Sequence, residues 1–175
     1  MRTSVGNENF NLVERIFQDA QFVQSLGIEL TAWGKGWCET RISILSTHRQ
    51  QHGFIHAGVL MTLADHTCGG AAATTIPDGN DVITVENKIS FLRPATGDEL
   101  TSRAEVLRAG KNLVFTEAVL SVQGEKGKII VAKASSTLAV IPLHTKRAGE
   151  QSAGEGRDGR SNSLKRLRRI EKSNI

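Results

Sequence analysis

Apolar positions along this chain follow two different periods, and the change from one to the other organises everything else. Leu12, Val13, Ile16, Phe17, Ala20, Val23 and Leu26 recur at three-four spacing, which predicts an amphipathic helix over Asn11–Leu26, ended by Gly27. Ile28–Trp33 and Trp37–Leu45 read as two strands joined by the turn Gly34-Lys35-Gly36. A polar loop from His48 to Ile55 then leads into a second helical pattern that begins near His56, with Val59, Leu60, Leu63, Ala64 and Thr67 forming one buried stripe. It fades at the turn cluster Ile76-Pro77-Asp78-Gly79. Beyond it the period shortens. Val82–Leu92, stopped by Pro94 and Gly97, then Leu100–Leu107, Asn112–Val122 and Lys128–Val140 read as strands, separated by short Gly-containing turns that imply antiparallel hairpins. The order helix, two strands, long helix, four strands predicts an α+β domain: one curved antiparallel sheet wrapped around a single central helix.

The second helix carries the one polar residue that its pattern does not require. Asp65 stands in the middle of an apolar segment, between Ala64 and the small run Cys68-Gly69-Gly70-Ala71-Ala72-Ala73, which lets another backbone approach closely. A carboxylate there is either one half of a structural ion pair or a working group. A helix starting near His56 leaves the Ala57 and Gly58 N–H groups without helical partners, at the positive end of the macrodipole, where a developing oxyanion is stabilised. Asp65 lies eight residues past Ala57, about 12 Å along the axis at 1.5 Å per residue. One carbonyl carbon cannot lie within reach of both. If the two groups act on one substrate they must come from two helices, and a two-fold dimer supplies them.

Composition narrows the classes. The chain has 175 residues and a formal net charge of +4. From Thr145 to Ile175 there are nine Lys/Arg and four Asp/Glu, whereas residues 1–144 carry thirteen and fourteen. The basic excess therefore belongs to the tail, and a nearly neutral domain is not expected to grip nucleic acid. We divide the chain into an N-terminal helical segment 1–26, a domain 27–144 and a basic tail 145–175, rich in Gly, Ser, Arg and Glu and expected to be disordered. Within the tail Ser163–Ile170 has the pattern of a short basic helix. No apolar run is of membrane-spanning length, and Met1-Arg2-Thr3-Ser4-Val5-Gly6 lacks the apolar core of a signal peptide, so a soluble, cytoplasmic protein is expected. Cys38 and Cys68 read as reduced core residues, and Trp33 and Trp37 as packing at the first hairpin. His48, His52 and His56 are spaced by four, but Gly53 and its polar neighbours argue for a loop, in which that alignment is lost; no metal is expected. Nucleophile-elbow, metalloprotease and phosphate-loop motifs are absent from the sequence.

His56-Ala57-Gly58-Val59-Leu60-Met61-Thr62-Leu63-Ala64-Asp65 resembles the His-Gly-Gly…Leu-Ala-Asp signature of the PaaI-like hotdog-fold acyl-CoA thioesterases. The resemblance spans roughly residues 27–141 and takes in Val82–Ile89, Phe91-Leu92-Arg93-Pro94-Ala95 and Leu107–Leu113. It implies a hotdog fold and cofactor-free hydrolysis of an acyl-CoA, by a dimer or a dimer of dimers, the homotetramer. It further implies that Asp65 is the nucleophile or general base and that the Ala57 N–H polarises the thioester carbonyl. His56 and Gln50 would help to place the thioester, and Thr84 would hold the attacking water. Phe91, Arg93, Pro94, Arg108, Gly110, Lys111 and Asn112 would contact CoA, and the acyl group would lie among residues such as Met61 and Cys68. Ala57 departs from the family's glycine; its N–H remains, and a helix start does not demand a positive φ. Two rivals remain: a hotdog hydratase or dehydratase using His66 beside Asp65, and a non-catalytic acyl-CoA-binding module.

Overall fold

The computed structural model describes residues 8–125 and 127–143, with the side chains of residues 8–11 left out. The tail 145–175, including the expected basic helix, lies outside the described residues. The elements are α1 (Glu8–Asp19), α2 (Gln21–Ser25), β1 (Ile28–Gly34), β2 (Trp37–Ser43), a 3-10 turn at Ser46–His48, α3 (Ala57–Ala73), β3 (Asn80–Phe91), β4 (Glu99–Ala109), β5 (Leu113–Gly124) and β6 (Gly127–Pro142). The single N-terminal helix expected over Asn11–Leu26 is in fact two. Ala20 leaves helical geometry at ψ 85°, and the Gln24 side chain takes over the carbonyl of Gln18, so the chain bends and Val23 can be buried. Gly27, at φ 71°, then turns the chain into β1, a conformation that glycine adopts without strain.

All six strands form one antiparallel sheet in the order β1-β2-β4-β5-β6-β3. Its inner face wraps α3. Cys38, Thr40 and Ile42 of β2, Leu100, Ser102 and Ala104 of β4, and Val114, Thr116, Ala118, Leu120 and Val122 of β5 alternate inward and are buried. Val59, Leu60, Leu63, Ala64 and Thr67 of α3 pack onto them, as their spacing predicts. Thr67 Oγ1 bonds Thr40 Oγ1 at 2.7 Å, so the hydroxyl within the stripe is satisfied. Gly70 is a close-approach glycine: a Cβ there would stand 2.8 Å from Cys38 Sγ. This is the curved sheet around one helix that the order of elements predicts, and the hotdog fold that the resemblance implies.

Two features of this frame position the candidate site. β3 is an edge strand with no buried residue, and Ile83 and Val85 on it are 55% and 63% exposed. One face of α3, bearing Ala57, Met61, Thr62, Asp65 and Gly69, is likewise not covered. β3 also contains a bulge: Thr84 pairs with Leu138 and Glu86 with Thr137, leaving Val85 as the extra residue.

Candidate active site

The described half-sites stand at the two ends of the α3–β3 groove. At one end the 3-10 turn and the loop after it deliver the chain to the start of α3. The His56 N–H donates to His48 O at 2.8 Å, and Ile55 N–H to Ala95 O at 2.9 Å, which holds the helix entry against the segment that follows β3. His56 is the N-cap, in extended geometry, and its Nδ1 accepts the Gly58 N–H at 2.9 Å. Sequence reasoning left both Ala57 and Gly58 N–H groups free; the His56 cap removes Gly58 and leaves Ala57, whose N–H has no partner among the described residues. Because Nδ1 accepts, the proton of the neutral ring sits on Nε2, which is then a donor.

Gln50, Phe54, His56, Ala57, Phe91 and Arg93 line a cleft of about 530 Å³ at this end, together with Leu60, Leu92 and Pro94. The Gln50 side-chain oxygen accepts the His52 N–H at 2.7 Å, so its amide nitrogen is the atom left to meet a ligand. Arg93 Nη1 donates to the Ile130 carbonyl at 2.9 Å, which fixes the guanidinium at the rim. Six of the sequence-predicted residues thus come together: Gln50, His56, Ala57, Phe91, Arg93 and Pro94. His48 is buried, and its Nδ1 accepts the Leu45 N–H at 3.1 Å, so His48 and His56 both serve as caps of local structure.

At the other end stands Asp65. It takes part in no ion pair of the described residues; instead Thr84 Oγ1 donates to Asp65 Oδ1 at 2.9 Å. The alternative of a structural ion pair is therefore not what is found. Thr84 belongs to the row of β6 Leu138 and β5 Val114, and the Val140 N–H donates to Asn112 O at 2.9 Å just beyond it. The Asp65–Thr84 pair therefore shares its end of the sheet with the β4–β5 turn, where Arg108, Lys111 and Asn112 are exposed. Gly110 closes that turn by donating to Leu113 O at 2.8 Å, and a Cβ there would meet the same oxygen at 3.0 Å.

Within one chain the residues expected to contact CoA therefore stand in two places. Phe91 pairs with Ala132 of β6, whereas Leu113, next to the β4–β5 turn, pairs with Ala139. Seven residues of strand separate them, about 23 Å at roughly 3.3 Å per residue. Two expectations need correction. Cys68 does not line the open groove: it is fully buried beneath α3, in hydrogen-bond contact with the Thr116 and Ser136 hydroxyls, and burial pushes its thiol above the ordinary range. His66 turns away from Asp65's groove toward α1, its ring edge-on to Phe17 at 4.4 Å, and burial holds it below its ordinary value although Asp65 and the Ile16 carbonyl oppose this. A hydratase base at His66 would have to reach the groove from that side.

One residue escaped the sequence reading. In a regular strand Thr84 and Asn87 point to opposite faces; the bulge at Val85 restores Asn87 to the inner face, opposite Ser136, the inward residue after Leu138. Ser136 Oγ donates to Asn87 Oδ1 at 2.9 Å. The signal was present only as an odd spacing, legible once the register of β6 is known.

Comparisons with known proteins agree with this fold. The family model described as Thioesterase superfamily matches residues 52–128. The human protein named acyl-coenzyme A thioesterase 13 is 30% identical over 117 residues, covering 66% of this chain and 74% of that protein. The protein of Listeria monocytogenes named 1,4-dihydroxy-2-naphthoyl-CoA hydrolase is 26% identical over 103 residues, 59% of this chain and 84% of that one. Among solved structures, a thioesterase family protein of Silicibacter pomeroyi superposes with TM-score 0.74 at 30% identity, covering 77% of this chain and 99% of its own.

Proposed function

For a chain that belongs to the thioesterase superfamily, and is a hotdog-fold thioester hydrolase, we propose the following assignment of substrate and mechanism. The substrate is an acyl-CoA, as the names of the human and Listeria relatives suggest. The site is completed only between two subunits. Asp65 with Thr84, and Ala57 with His56 and Gln50, are separated along one helix by about 12 Å. Two chains related by a two-fold axis and joined along β3 and the open face of α3 bring each Asp65 opposite Ala57 of the partner subunit. The same operation sets the Arg108–Asn112 turn of one chain against Phe91 and Arg93 of the other, which reunites the two separated CoA sets.

In that site the Ala57 N–H, at the start of α3, donates to the thioester carbonyl oxygen and takes up the charge that develops there. Asp65 acts on the carbonyl carbon, directly or through a water from which it removes a proton. The Thr84 hydroxyl donates a hydrogen bond to Asp65 and so keeps its lone pairs to accept one from that water. As base, Asp65 takes the water's proton and returns it to the CoA thiolate when the C–S bond breaks. As nucleophile, it forms a mixed anhydride as the thiolate leaves. A water then cleaves that anhydride, regenerating the Asp65 carboxylate, releasing the acid and supplying the thiolate's proton. Arg93, Arg108 and Lys111 pair with CoA phosphates. The proposed setting is the cytosol. Among the described residues no helix is long and apolar enough to cross a membrane.

The observation that carries this reading is the open Asp65–Thr84 pair lying too far from the free Ala57 N–H of its own chain. Mixing two inactive variants tests it: Asp65→Ala, and Ala57→Pro, which removes the N–H where proline is tolerated in a first helical turn. A heterodimer collects both defects in one site and leaves the other intact. Co-refolded mixtures are expected to regain up to about a quarter of the parent activity by random pairing. Heterodimers shown by mass analysis to be present yet inactive would overturn the shared site.

A further inference from the structure

We infer that Asn87 reads an oxygen substituent on the acyl group, so that the preferred substrates are acyl-CoAs bearing a hydroxyl or carbonyl oxygen a few bonds beyond the thioester carbon. The inference rests on the acyl-CoA reading above. Thr84 and Asn87 face opposite consecutive inward residues of β6, Leu138 and Ser136, so their side chains stand about 7 Å apart despite being three residues apart in sequence. Asn87 is therefore the inner-face neighbour of the residue that bonds Asp65. Its direction matters as much as its distance. CoA meets Asp65 from the side of the Arg108–Asn112 turn, so an acyl chain passing Asp65 runs along β3 toward Asn87.

The Asn87 amide is held in one orientation. Ser136 has one hydroxyl proton and gives it to Asn87 Oδ1, and Ser136 is itself packed against the buried Cys68. The Nδ2 group is thereby turned outward with two donors, and no hydrogen bond of the described residues uses them. An amide so placed finds an acceptor on an oxygenated acyl group. An unsubstituted alkyl chain would strip its water and leave it unpaired.

Matched pairs of acyl-CoAs, identical except for one hydroxyl at successive positions of an alkyl chain or at the far edge of an aromatic ring, provide the test. The parent protein is expected to favour at least one hydroxylated member by roughly 10- to 100-fold in kcat/KM, the range set by one unpaired buried amide. Asn87→Leu, of similar shape and without donors, should bring that ratio to near one or invert it. Ser136→Ala, which frees the amide to rotate, should narrow it. Turnover by the parent with no preference in any pair overturns the inference and leaves the thioesterase reading standing, whereas no turnover of any pair strikes that reading first. An unchanged preference in Asn87→Leu overturns it too, as does an Asn87→Leu protein that dissociates into monomers, which would assign the amide to the subunit interface.

Discussion

β5 and β3 are both twelve-residue strands of the same sheet, and they have opposite fates. In β5 every inward residue from Val114 to Val122 is buried, while of the outward ones Leu113, Phe115 and Glu117 are exposed and Val119 is partly covered. In β3 no residue is buried, although it carries Val82, Ile83, Val85, Ile89 and Phe91. The difference is one of place: β5 has neighbours on both sides, and β3 has β6 on one side only. Apolar side chains on an unpaired edge, beside an uncovered face of the central helix, mark a surface awaiting a partner. The chemistry-bearing residues follow the same division. Thr84 and Asn87 belong to β3, and Asp65 to the helix face that looks at it, whereas β5 contributes packing.

The sharpest way to separate the two strands' roles is through Asp65. Asp65→Asn keeps the shape and can still accept from Thr84, but it can be neither base nor nucleophile. Hydrolysis is expected to fall on the order of 10²- to 10⁴-fold, with the melting temperature close to the parent's. Turnover within a factor of a few of the parent would remove Asp65 from the chemistry. Leu120→Ala in β5 is the mirror experiment. Leu120 is fully buried, and its truncation should cost about 2–5 kcal/mol of unfolding free energy. Activity per folded molecule should hardly change, because nothing in the β3 groove has moved. Denaturant unfolding and active-site-normalised rates check both halves of that statement.

Much of this was legible before the structure. Period alone separates the helices from the strands, and an acid on an otherwise apolar helix singles out Asp65. The distance from Ala57 to Asp65 follows from helical rise, and with it the proposal of a second chain. Other things depend on long-range register, which local pattern does not carry. That Phe91 and Lys111 lie at opposite ends of β6 is fixed by which residues β6 pairs with on its two sides. That Asn87 faces inward is fixed by one bulged residue. The helix cap was missed for a different reason: histidine is not among the usual capping residues, so the Gly58 N–H was expected to be free when His56 already holds it. Cys68 misled because it lies three residues past Asp65, close enough in the helical wheel to be taken for the same face, and its true direction is settled by Ser136 and Thr116 beneath it.

Thr84→Ala sharpens the comparison from the β3 side with a smaller effect. In the proposed mechanism the hydroxyl orients Asp65 and its water without exchanging protons with substrate, so a 10- to 100-fold loss in kcat is expected. Thr84→Ser should restore most of it, since Ser keeps the oxygen. A Thr84→Ser protein as impaired as Thr84→Ala would show that the methyl group, through packing, is what matters at this position.

The smallest effect concerns the opposite face of α3, where the helix is covered by its own chain. His66 packs against Phe17, and its Nε2 is buried without a partner among the described residues. Burial lowers its affinity for a proton below the ordinary value of 6.5, the Asp65 charge and the Ile16 carbonyl opposing this only in part. The unfolded chain therefore takes up a proton near pH 6.5, while the folded one resists until a lower pH. Stability is retained above that window and declines as the pH falls through it, levelling off once the folded ring is protonated as well. His66→Gln removes the titration and keeps a donor for Ile16. Between pH 7.5 and 5.5 the parent's melting temperature should fall by about one to three degrees more than the variant's. Equal falls in the two proteins would mean that the α1–α3 contact yields to the proton without cost, and that α1 is a looser cover than Phe17 and His66 suggest.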